Sequence, residues 1–132
     1  MKSLLHAKSS VSIFGGCIED YLPIHTWFDT SKNYYPDVRH RALRHHSEGI
    51  GMCESIFGGY ITNSDGKQVS VRAIGEQHCR EDLGFIPTVE FWLSKIGMEP
   101  WMYGLVRRDQ PDMRKSIIRR KLLVREKETQ DE

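Results

Sequence analysis

The 132-residue sequence predicts an α+β domain, mostly α, with helices arranged around a single β-hairpin. Three observations carry that expectation. Glycine pairs and prolines cut the chain into helix-length pieces with recognisable caps. Apolar residues between those cuts recur at helical spacing. One stretch alternates with the two-residue period of a strand, directly after the turn sequence Asn63-Ser64-Asp65-Gly66.

The opening segment, up to Gly15-Gly16, sets serines around Val11, Ile13 and Phe14 and reads as a short strand or an extended arm. A first helix is expected over Ile18 to about Ser31, with Glu19 and Asp20 suiting its N-terminal turn and Pro23 marking where regular helix begins. A second runs from Pro36-Asp37 to Gly58-Gly59, proline first and glycine last. Tyr60-Ile61-Thr62 and Lys67 to Ile74 form the hairpin arms. A short helix follows over Glu76 to Leu83, and Thr88 caps another over Val89 to Ile96. Pro111 to about Lys127 reads as an amphipathic charged helix. The domain is thus expected to span residues 1–110, followed by a helical tail over 111–132.

Composition excludes several classes of function. Hydrophobic residues at 39% and charged residues at 28% are globular proportions, and a net charge of +1 gives no global attraction to nucleic acid or anionic membrane. Cys17, Cys53 and Cys79 are odd in number and form no C-x-x-C pair, which fits reduced thiols in a cytoplasm. No apolar run reaches the roughly 20 residues of a membrane span.

The residues able to carry chemistry are histidines with carboxylates at helical spacing. His25 precedes Asp29 by four residues and His78 precedes Asp82 by four, so each pair shares a helix face. With His46 on the buried row of the second helix, His25, Asp29, His46, His78 and Asp82 form a candidate metal-ligand set. His45 and Glu76 are then the candidate acid–base partners. Histidine and carboxylate together suit zinc, manganese or iron. Around a regular helix His40 lies roughly 140° from His45, which sends His40 to solvent and outside the set. Cys79 and its neighbour His78 point about 100° apart, so an inert buried thiol is expected there.

Competing readings have their own residues. Arg39, Arg41 and Arg44, with the basic residues of the final helix, could neutralise phosphates and bind nucleic acid. The apolar stretch Trp101 to Leu105 and the charged final helix could instead dock on a partner protein, or pair with a second copy as a homodimer. The metal reading leads to a hydrolase of a phosphoester or nucleotide.

The chain also resembles a group of short bacterial and phage proteins without assigned biochemistry. The likeness is carried by Tyr21-Leu22-Pro23-Ile24-His25, by Arg39-His40-Arg41-Ala42-Leu43-Arg44-His45-His46, by Ile61 to Gly66, by Ile74-Gly75-Glu76-Gln77-His78 and by Ile86-Pro87-Thr88. It covers roughly residues 6 to 102 and implies an accessory protein, with a host or phage protein as the docking partner and no reaction attached.

Overall fold

A computed structural model of the chain describes residues 1–104. As the sequence predicts, the fold is mostly helical with one two-stranded antiparallel hairpin. Residues Met1–Leu93 form one compact unit, and residues 94–104 belong to a second. No described helix is long and apolar enough to cross a membrane. The predicted C-terminal helix lies outside the described residues.

The opening segment is a helix, α1 (Ser3–Phe14), and not the strand or arm its composition suggests. It buries His6, Ala7 and Ser10, so its inward stripe is partly polar and the hydrophobic period that announces a helix is missing. α1 stops at Gly15, whose φ of 83° suits glycine, and α2 (Ile18–Asp29) starts two residues after Gly16. Pro23 lies inside α2 and does not open it. Asp20 secures this start by accepting from Cys17 N at 2.8 Å.

The hairpin β1 (Tyr60–Thr62) and β2 (Gln68–Ser70) pairs Tyr60 with Ser70 and Thr62 with Gln68. Its second arm is shorter than predicted, because Ser70 caps α4 (Val71–Leu83) by accepting from Ala73 N at 3.1 Å. The hairpin turn holds the corner between α1 and α2. Asn63 Nδ2 donates to Phe14 O at 3.3 Å and to the Tyr21 hydroxyl at 3.1 Å. Ser64 donates to Asp20 Oδ2 from both its amide and its hydroxyl, each at 2.8 Å. Gly16 N donates to Asp65 Oδ2 at 2.9 Å. A Cβ on Gly16 would lie 2.4 Å from Asp20 Oδ2 and 3.0 Å from Asn63 Cβ, which explains the glycine.

The largest departure from expectation falls between Pro36 and Gly58. In place of one helix there is a 3-10 helix over Val38–Leu43, a break, and α3 (Ser47–Phe57). Gly49 shows why: the chain folds back so tightly that a Cβ there would sit 1.9 Å from Arg44 O. His46 is extended (φ −163°, ψ 169°) and caps α3. The expected 100° increments therefore do not run through this segment. His40 is buried, 4% exposed, and not solvent-facing, with Ser31 Oγ 2.7 Å from its Nδ1.

The apolar core includes Tyr21, Ile24, Phe28, Ile50, Cys53, Val71, Ile74 and Cys79. α4 approaches α2 and α3 closely at Gly75, where a Cβ would meet Phe28 Cζ at 3.1 Å and Ile50 at 3.2 Å. Past α4, the predicted helix from Val89 ends at Leu93 as α5 (Val89–Leu93). Within the second unit, Pro100–Tyr103 is a 3-10 turn.

Two glycine substitutions separate these roles. Gly49→Ala is expected to cost about 1–3 kcal/mol through overpacking against backbone. Gly51→Ala, with nothing within 4 Å of its Cβ, is expected to stabilise by about 0.5–1 kcal/mol. Urea denaturation of both variants checks the pair, and equal effects would contradict the folded-back geometry.

Candidate metal centre

Three helices each contribute an i, i+4 pair whose side chains face inward. α1 gives His6 and Ser10, α2 gives His25 and Asp29, and α4 gives His78 and Asp82, with Gln77 and Glu81 beside them. His45, in the break before α3, closes the group from the fourth side. All four of these histidines are fully buried.

At the centre His78 Nε2 stands 3.1 Å from His45 Nε2 and 3.3 Å from both Asp29 Oδ1 and Asp82 Oδ2. His45 Nε2 is 2.9 Å from Asp82 Oδ2 and 3.7 Å from Asp29 Oδ1. All four ligand-type atoms lie within 4.8 Å of one another. Metal bonds of about 2.0–2.1 Å in a tetrahedron separate ligand atoms by roughly 3.3–3.4 Å. The five spacings bracket that value. Protons alone serve the cluster poorly, since one Nε2–H cannot satisfy three neighbours and two facing Nε2–H groups would repel. Two neutral imidazoles and two carboxylates balance a divalent charge, so these residues fit such an ion.

The surroundings assign the protons. Gln77 Nε2 donates to His6 O at 2.9 Å and to Glu81 Oε1 at 3.1 Å, which turns its oxygen toward Ser10. The Ser10 hydroxyl donates to Gln77 Oε1 at 2.7 Å, so Ser10 accepts from His25 Nε2, also at 2.7 Å. His25 Nδ1 is then the bare nitrogen, and it accepts from His78 Nδ1–H at 2.9 Å. His78 Nε2 is left facing the carboxylates. This is the outer hydrogen bonding that orients a metal-binding imidazole.

Electrostatics agree with that assignment at His25. Burial, reinforced by His78 and His6, pulls the His25 pKa down to about 2. Burial takes His45 down to about 4 against its bond to Asp82. His78 is also penalised by burial, but Asp29 and Asp82 hold it above its ordinary value. Burial opposes ionisation of Asp29 too, yet His78, Ser3 and His45 bring it down to about 2. Asp82 is held far below the usual carboxylate range despite burial, mainly by bonds from His45, His6, His78 and the Met1 amine. Asp82 Oδ1 additionally faces Arg41 Nη2 at 3.5 Å.

Of the predicted ligands, the structure brings Asp29, His78 and Asp82 together and adds His45, which the sequence suggested as an acid–base partner. His25 stands behind His78 as its hydrogen-bond partner. His6, His25 and His78 also have nitrogens within 4.8 Å of one another. His6 stacks on the His78 ring, however, with centroids 3.8 Å apart, and the facing Nδ1 atoms of His25 and His78 are taken up by their own hydrogen bond. His46 is placed elsewhere. Its Nδ1 accepts from Gly49 N at 2.8 Å and its Nε2 donates to Ala42 O at 3.0 Å, which leaves no lone pair for an ion. Glu76 lies outside the cluster, 3.9 Å from Arg80. His6, Ser10 and Gln77 escaped the sequence reading. Their signal, His6 and Ser10 four apart, emerges only once the opening segment is known to be helical.

The three clustered arginines do not form a stripe. Arg39 binds Asp37 at 2.7 Å, Arg44 lies over the Trp27 ring at 4.4 Å, and Arg41 turns inward to Asp82. Beside Arg41 is an open pocket of about 240 Å3, lined by Lys2, Asp29, Lys32, His40 and Arg41 among others. Asp29, its side chain 9% exposed, is the one residue of the central four on that lining, and the other three side chains are fully enclosed.

In the metal-free chain, His25 and His45 stay neutral well below their ordinary value of about 6.5, so unfolding takes up protons at both. Stability is therefore expected to fall as pH drops from about 6.5 toward about 4. His78 offsets part of this, because its raised pKa adds stability at low pH that is lost as pH rises through it. Urea midpoints measured in EDTA across that range check the slope, and His25→Gln should flatten it. Cys53 and Cys79 are buried with pKa values pushed up to about 12 by burial. At pH 8 a thiol reagent should reach no more than Cys17 before the chain unfolds; fast labelling of Cys79 would contradict its enclosure.

No curated protein and no solved structure matches the chain. A family model described as a domain of unknown function (DUF6915) matches residues 1–102, and the chain belongs to that family.

Proposed function

We propose that the protein is a metal-dependent hydrolase of a phosphoester or nucleotide, with a divalent zinc, manganese or iron ion held by Asp29, His45, His78 and Asp82. The observation that carries the reading is the set of spacings from 2.9 to 3.7 Å among those four ligand atoms. They converge where lone pairs outnumber the available protons. Such an ion, when bound, supplies an acidified water for attack on an ester.

Hydrolysis is supported by the asymmetry of the set. Enclosed ligand sets of four are typical of structural ions, and catalytic ones keep a position open. Here Asp29 lies at the edge of a solvent-connected pocket, so a water or an ester oxygen can reach the site along that side chain. His40 lines the same pocket and stands ready to exchange a proton with a bound group.

Elemental analysis of protein purified without a nickel column is expected to give about one ion per chain, falling to near zero in Asp82→Asn and to near parent content in His46→Gln. Less than about a tenth of an ion per chain, with no thermal stabilisation by added zinc or manganese, would overturn the metal reading. A loaded chain that turns over neither p-nitrophenyl phosphate, its diester, nor a nucleotide would leave the ion standing and remove the hydrolase.

A further inference from the structure

The pocket beside Asp29 holds more positive charge than its partners use. Lys2 and Lys32 line it, and neither ammonium group has a hydrogen bond or ion pair among the described residues. Arg41 also lines it. Its Nη2 reaches toward Asp82 Oδ1 at 3.5 Å, while its Nε–H is buried without a hydrogen-bond partner. A buried unpaired guanidinium N–H costs free energy, and no acceptor among the described residues meets it. Asp37, on the rim, is occupied by Arg39 through both of its oxygens.

From these features we infer that the pocket is a phosphate-group site, with Arg41 as its guanidinium clamp and Lys2 and Lys32 as its flanking charges. The inference deepens the proposed function and rests on it for one point. Without an ion, the carboxylate of Asp29 on the pocket lining, with that of Asp82 enclosed behind it, opposes an anion there. With a divalent ion between them that opposition is cancelled, and three cations remain to face the ligand. Arginine suits the task because its planar fork matches two phosphate oxygens, and lysine adds charge without fixed geometry. The shared chemistry is a phosphate group, whether it arrives free or as part of a nucleotide.

Calorimetry on the full chain, loaded with zinc, tests this with inorganic phosphate, adenosine monophosphate and adenosine. Phosphate and the nucleotide are expected to bind, with affinity weakened at least about tenfold in Lys2→Ala/Lys32→Ala. Both lysines are exposed, so that variant is expected to fold and to keep its zinc content. Arg41→Lys should also weaken phosphate, by losing the planar fork. Equal affinity for phosphate and nucleotide identifies the free anion as sufficient, and tighter nucleotide binding identifies a nucleotide ligand. Both support the site. It is overturned if the loaded chain binds neither, if the lysine variant binds as tightly as the parent, or if adenosine binds as tightly as its monophosphate. Should the chain take up no zinc, the proposed function fails and the phosphate site, which needs the ion to cancel the carboxylate charge, falls with it; zinc uptake without phosphate binding overturns the phosphate site alone.

Discussion

A carboxylate enclosed by protein is tolerated only when donors replace its water, because desolvation alone costs several kcal/mol per ion. Asp82 is such a group, and its side chain is fully enclosed. The donors it gathers come from several elements. His6 arrives on α1, Arg41 on the 3-10 segment, His45 from the break before α3, and His78 from its own helix. Each of those contacts is also a docking constraint. The elements could not separate without stranding a buried charge, so the polar centre fixes their arrangement as firmly as the apolar core does.

The apolar core is built against this centre and not apart from it. Phe28 stacks on the His78 ring, with centroids 4.8 Å apart, while its other side meets the close approach at Gly75. Ile50 reaches the same glycine from α3. Packing thereby holds the His78 ring in plane, and the chain from His25 through Ser10 to Gln77 holds its proton on Nδ1. The two restraints together leave Nε2 aimed at the carboxylates. That is preorganisation of the kind a binding site needs, with rotamer and tautomer both set before any ligand arrives.

The hairpin has a supporting part in the same scheme. Its turn residues, Asn63 to Asp65, grip the α1–α2 corner through Phe14, Gly16, Asp20 and Tyr21. That grip sets α1 against α2, and so sets His6 and Ser10 opposite His25 and Asp29. A turn chosen for its left-handed glycine in the sequence thus has a second use, as a clamp on the helices that carry the site.

Local chemistry in the sequence determined the hairpin, α2, the stop at Gly84 and the His-Asp pairs on α2 and α4, since caps, turns and i, i+4 spacing act over a few residues. It also made Asp29, His78 and Asp82 candidates for one site. Tertiary structure decided the rest. α1 is illegible because its buried stripe is polar, and those polar residues find most of their partners on α2 and α4. The choice of His45 over His46 followed from a helix break that exists because Gly49 packs under Arg44 O, a contact no periodicity encodes. His40 turned inward for the same reason, once the regular helix assumed for it was absent. Spacing along a chain fixes which residues share a face, but only packing decides which faces meet.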